Sequence, residues 1–210
     1  PLPAPRSRRI EFVGDIAAAC QIDAPHGAFF ADLGYQDALK SYAAVAGKAL
    51  QAEWNIVASS HHGVVPQGCC TSRCCESTLA DLYPRAVLDD SSCGAQALEW
   101  QADAVVILVG YHWFAYGCMP STAALRDGYL MLFEAIRTVQ RQTPIICIAL
   151  DWETMPGGAG LEAHQEICER VIAAMWEAAD TFDDHQIHCL QLRMPHHLRL
   201  EYPDDWASRA

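Results

Sequence analysis

Five short apolar runs, rich in isoleucine and valine and nearly free of polar alternation, recur along the chain at residues 10–14 (IEFVG), 54–58 (WNIVA), 104–109 (AVVILV), 144–150 (PIICIAL) and 186–190 (QIHCL). A strand with one face in water alternates apolar and polar residues, whereas a strand covered on both faces reads as a continuous apolar run. These five runs therefore predict parallel strands sandwiched between helices. The stretches between them carry helical spacing. Residues 37–52 place Leu39, Tyr42, Ala43, Ala46, Ala49 and Leu50 on one stripe, and residues 160–178 do the same with Leu161, Cys168, Val171, Ile172 and Met175. A third helical pattern fills 121–141, opened by Ser121 as its N-cap and ended before Pro144. Strands alternating with helices predict an α/β fold, a doubly wound three-layer sandwich around a five-stranded parallel sheet. In such folds ligands sit beyond the carboxyl ends of the strands. Those ends are Gly14-Asp15-Ile16, Ser59 to Gly63, Gly110 to Trp113, Asp151-Trp152 and Met194 to His197.

Composition narrows the partners. The 210 residues are 51% hydrophobic and 19% charged, enough for one domain with a sizeable core, expected over residues 10–210. Residues 1–9, PLPAPRSRR, are Pro-rich and polar, as in a linker or a processed N-terminus. No apolar run approaches the ~18 residues that span a bilayer, so no membrane span is expected. The net charge of −12, from 26 acidic against 14 basic residues, repels phosphate backbones and speaks against nucleic acid. Ten cysteines are many for a reduced compartment. Cys147, Cys168 and Cys189 read as small core residues. Cys69, Cys70, Cys74 and Cys75 crowd a polar loop whose spacing is not a usual zinc pattern, so disulfides are expected there, with Cys93 and Cys118 as further partners. That expectation implies a secreted or organelle-lumenal setting.

RRIEFVGD, SYAAVAGKALQAEWNIVASSHHGVV, LADLYPRAVL, WQADAVVILVGYHWF and MLFEAIRTVQRQTPIICIAL together resemble the SGNH (GDSL-like) hydrolases, and most the esterase domain of carbohydrate esterase family 2. The likeness runs in order over nearly the whole chain. It implies a flavodoxin-like sandwich and an ancestry among polysaccharide deacetylases, often preceded by a β-sandwich domain.

The blocks that carry that family's chemistry differ here. Its first strand ends in Gly-Asp-Ser, whose serine is the nucleophile; the matching residues are Gly14, Asp15 and Ile16. Isoleucine has no atom that can attack a carbonyl. Its Ser-Gly-x-Gly block, whose first glycine donates an N–H to the oxyanion, is matched by Ser60, His61, His62 and Gly63. Its Gly-Thr-Asn-Asp block, with the asparagine as another oxyanion donor, is matched by Gly110, Tyr111, His112 and Trp113. Its Asp-x-x-His-Pro becomes MPHHL, which puts His197 at the catalytic histidine and Met194 at the aspartate, or His196 and Arg193 with a one-residue slip. A nucleophile, an orienting carboxylate and an oxyanion donor are thus replaced together, and no catalytic residue is expected. Cys20, the rival nucleophile, lies a helical turn beyond Ile16 with its sulfur expected to point into the core.

The expected role is a catalytically inactive esterase-like domain that serves as a structural or interaction module, with other subunits or other domains of the same chain as partners. A glycan-binding module using the former cleft stands beside it, with Asp15, Trp113 and Trp152 as ligand contacts. Phe114 and Tyr116 lie near the same strand ends, and rings in such places either stack on sugars or plug a core. No cofactor is expected. The remaining alternative is a residual or metal-dependent deacetylase holding zinc on His61, His112 and His197, which the resemblance brings toward one centre.

Overall fold

A computed structural model describes residues 8–15, 21–22, 36–59, 62–66, 77–85, 100–110, 120–151 and 161–193. Within them the strands are β1 (Arg9–Gly14), β2 (Gln21–Ile22), β3 (Gln36–Asp37), β4 (Glu53–Ala58), β5 (Ala104–Leu108), β6 (Ile145–Asp151) and β7 (Ile187–Arg193). The helices are α1 (Tyr42–Ala49), α2 (Leu79–Leu82), α3 (Thr122–Val139) and α4 (Leu161–Phe182), with a 3-10 turn at Ala38–Lys40. Five strands form one sheet in the order β4-β1-β5-β6-β7, every pair parallel. Numbered among themselves these strands run 2-1-3-4-5, the flavodoxin-like order. The sandwich expected from the five apolar runs is the one observed. The short antiparallel β2–β3 pair and helix α2 are additions that the apolar pattern did not announce.

The sheet is covered on both faces. Val13, Val105, Ile107, Ile145, Cys147 and Ala149 point into the main core, where they meet Leu125, Tyr129, Leu132, Phe133 and Ile136 of α3 and Val171 and Met175 of α4. The inward residues of α3 recur three and four apart, and Ser121 Oγ caps it by accepting from Ala124 N at 3.2 Å. On the opposite face Phe12 meets Tyr42 of α1 edge-on, with ring centroids 5.9 Å apart.

Helix α1 corrects the sequence reading. The stripe through Leu39, Tyr42, Ala46 and Leu50 does not form a continuous inward face. Leu39 is 62% and Leu50 47% exposed, and the buried positions are Ala43, Ala44 and Gly47. Ser41 starts a new helix by accepting from Ala44 N, so Leu39 falls in the separate 3-10 turn. Gly47 lies so close to β4 that a Cβ would stand 2.8 Å from the Trp54 ring. Small residues set the approach of this helix, and leucines take its outer side. Strand β7 also runs three residues past the predicted end, because as an edge strand it leaves His188, Leu190, Gln191 and Leu192 exposed and lacks a two-sided apolar pattern there.

Strand β1 carries a carboxylate into the interior. Glu11 is 3% exposed; it accepts from Asn55 Nδ2 at 3.0 Å and from the Tyr83 hydroxyl. Burial raises its pKa above 4.5 against the opposing pull of those two hydrogen bonds, and burial together with the Glu11 charge raises that of the Tyr83 phenol. The folded protein therefore holds this proton to a higher pH than the unfolded chain does. The associated stability is fully present below the unfolded carboxylate range and is lost as pH rises through the folded value. Urea unfolding of wild type and Glu11→Gln at pH 4 and pH 7.5 is expected to show wild type losing ground to the variant as pH rises. A difference that is the same at both pH values contradicts this.

Candidate functional site

The strand order reverses between β1 and β5, which places the crevice favoured by ligands at the carboxyl ends of those two strands. Gly14 is in register with Ala58 on one side and Leu108 on the other, so three of the expected blocks start from one edge of the sheet. Ser59 N donates to Gly14 O at 3.3 Å, continuing the β1–β4 ladder by one step. Asp15 is fully buried, and its Oδ2 accepts from Gly110 N at 3.1 Å. Glycine at 110 is required twice over. Its φ is +108°, and a Cβ would lie 3.2 Å from both Val171 methyl groups and 3.3 Å from the Tyr129 hydroxyl oxygen. That hydroxyl donates to Val109 O at 2.8 Å, so α3 fastens the end of β5 directly.

The loop after β4 is held as firmly. Ser59 Oγ and His62 Nδ1 are 2.7 Å apart, His62 is 8% exposed, and Leu79 N donates to Gly63 O at 2.9 Å. On α1, against Phe12 of β1, the Tyr42 hydroxyl is buried and makes no hydrogen bond among the described residues. Burial first, and the negative charge of Asp15 second, raise its pKa, so this phenol stays neutral. The described edge of the site thus consists of a buried carboxylate engaged by a backbone N–H, an imidazole tied to a serine, and a neutral phenol. The carboxylate and the imidazole hold the strand ends and the loop in place. Asp15 serves two strand ends at once, and the hydrogen bond of His62 Nδ1 to Ser59 fixes the ring from the loop side.

Of the site residues expected from the sequence, Asp15 is among those described. Ile16, Cys20, His61, His112, Trp113, Trp152, Met194, His196 and His197 lie outside the described residues, as do Cys69, Cys70, Cys74, Cys75, Cys93 and Cys118. Among the described residues no three His, Cys, Asp or Glu side chains are grouped to hold a metal. Cys147 and Cys168 are buried in the core as expected, and Cys189 is half-buried. Sequence reasoning missed the Ser59–His62 bond and the buried phenol of Tyr42. The first had a signal, a Ser-x-x-His spacing at a strand end; the second had none, since an inward tyrosine on a helix reads as core.

These features define a flavodoxin-like α/β sandwich, a fold shared with solved esterases. Solved structures of like fold include a family two carbohydrate esterase from Clostridium thermocellum in complex with cellohexaose, with a TM-score of 0.69 at 20% identity over 93% of this chain and 57% of that one. A carbohydrate esterase family 2 enzyme from Corynascus thermopiles, solved with its carbohydrate binding domain, has a TM-score of 0.72 at 20% identity over 93% and 59% of the two chains. An aryl esterase from M. smegmatis follows with a TM-score of 0.58 at 14% identity over 88% and 84% of the two chains. At these identities the likeness is one of fold, and this chain spans less than three fifths of the two carbohydrate esterases. The sequence matches no family model and no curated protein. No helix among the described residues is long and apolar enough to cross a membrane.

Proposed function

We propose that this chain is an esterase-fold domain without esterase chemistry, serving as a structural or interaction module for other domains or subunits in an oxidising compartment. The observation that carries this reading is the residue after Asp15. The strand end that leads to the nucleophile of SGNH hydrolases is kept, with Asp15 buried and bonded to Gly110 N, and the next residue is Ile16. His112 and Met194, at the positions of the Asn donor and the orienting carboxylate, support the same reading. A fluorophosphonate probe, which labels serines activated by a neighbouring base, tests it. The expected result is no labelled serine in the folded chain; a single labelled serine displaced by an acetyl ester contradicts the proposal.

A second reading is a glycan-binding module, favoured by the cellohexaose bound to the Clostridium thermocellum enzyme of like fold. Here Trp113 and Trp152 would stack on sugar faces beside Asp15. Calorimetric titration with cellohexaose and with plain and acetylated xylan oligosaccharides separates the two. Saturable binding lost in Trp113→Ala supports the glycan reading, and no heat of binding supports the interaction module.

A further inference from the structure

Cys147 on β6 and Cys189 on β7 are register partners on neighbouring parallel strands. Partners in such a pair project to the same face of the sheet, with their Cα atoms about 4.8 Å apart, inside the span that a disulfide bridges. Cys189 Sγ donates to Met175 O at 3.9 Å. Their surroundings differ. Cys147 is completely buried, while Cys189 is half-buried and opens onto a cleft of about 530 Å3 between the end of α4 and the sheet edge. Trp176, Asp180, Asp183, Asp184 and His185 line that cleft. Asp184 is paired with Arg137 at 2.7 Å, so Asp180 and Asp183 give the cleft its negative sign, with His185 the basic group facing them.

We propose that Cys189 and Cys147 form a thiol relay in which Cys189 reacts with small cationic disulfides entering the acidic cleft and Cys147 resolves the product to an inter-strand disulfide. The inference goes beyond the proposed function and does not depend on it. In the first step the Cys189 thiolate attacks one sulfur of the reagent, an S–S bond forms to Cys189, and the other half leaves as a thiolate that takes up the proton Cys189 gave to water. In the second, Cys147 loses its proton and attacks the Cys189 sulfur, releasing the other half as thiol. The sum is two protein thiols plus one disulfide giving one protein disulfide plus two small thiols, so electrons and protons balance. The order follows from access, since Cys189 lines the cleft and Cys147 is completely buried. The neighbouring thiol and burial raise the Cys147 pKa, and the neighbouring thiol lowers that of Cys189 against desolvation and the Asp180 charge, which favours the same order.

The test uses the reduced full chain with cystamine, a dicationic disulfide, quenched in acid and digested without reduction by trypsin and a glutamate-specific protease. Glu153, Glu162 and Glu166 lie between Cys147 and Cys168, so the digest tells these two apart. The expected product is a peptide containing Cys147 linked to the peptide containing Cys189. Cys147→Ala is expected to stop at a persistent cysteamine adduct on Cys189. In wild type the adduct on Cys189 is expected to rise and then fall as the link appears, which tests the relay without any variant. Cystamine is expected to react at Cys189 roughly fivefold faster than the dianionic dithiodiglycolate at low salt, as nearby carboxylates at a surface favour the cation. The ratio is expected to approach one in 1 M salt, where screening acts within about 3 Å. A cysteamine adduct on Cys189 that persists in wild type, or equal rates for the two reagents at low salt, overturns the proposal.

Discussion

Gly128→Ala is expected to destabilise the protein by about 3 kcal/mol, the upper part of the range for overpacking a closed interior. Helix propensity alone points the other way, since alanine inside a helix is favoured over glycine by roughly 0.5–1 kcal/mol. Contact decides the outcome. A Cβ at position 128 of α3 would stand 2.2 Å from Val64 O and 2.8 Å from Val64 C, and both are backbone atoms with no rotamer to escape into. Relief requires α3 to back away from the 62–66 loop, which opens the core around Leu125, Tyr129 and Leu132 and disturbs the loop that positions His62 and Gly63. Urea denaturation of the two proteins measures it. A variant as stable as wild type, or more so, contradicts the close approach of α3 to that loop.

Phe133→Ala is expected to cost about 3–5 kcal/mol, the usual effect of removing a large buried ring whose neighbours relax only in part. The Phe133 side chain is fully buried in the middle of α3. Its ring lies 5.7 Å from that of Phe182 at an interplanar angle of 70°, and 6.2 Å from that of Tyr129. Edge-to-face aromatic contacts add to the area term, so the loss falls on two helices at once. Because Tyr129 also donates to Val109 O beside Asp15 and Gly110, loosening this cluster is expected to reach the strand ends. Thermal and urea unfolding check the magnitude. A loss below about 1 kcal/mol would mean that the site collapses around the missing ring or is less tightly packed than its burial indicates.

Where burial writes itself into composition, the sequence was readable. The first four apolar runs gave strands within a residue or two of the observed ends, because residues covered on both faces have to be apolar whatever else they do. Ser121 announced the start of α3 because a hydroxyl at an N-cap satisfies an otherwise orphaned N–H. Close approach leaves no such trace. Gly47 against Trp54 and Gly128 against Val64 O are read in sequence as weak helix residues, and the leucines beside Gly47 then appear to define a face that they do not form. Glu11 sits in an apolar run as one charged letter, and its partners Asn55 and Tyr83 come from 44 and 72 residues away. The Cys147–Cys189 pair exists through register alone. At the site, the sequence marked Asp15 and the glycine at 110 through their place in strand-end blocks, while the bond between them follows from the geometry of a reversed strand order.

Release of acetate from acetylated xylan, with p-nitrophenyl acetate as the small ester, tests the central claim most directly when wild type, Ile16→Ser and His197→Ala are compared. No turnover by wild type above that of free imidazole at equal concentration is expected. On the proposed reading none is expected from Ile16→Ser either, because His112 and Met194 stand at the positions matched to the Asn donor and the orienting carboxylate and can supply neither. Steady turnover by wild type that disappears in His197→Ala would contradict it.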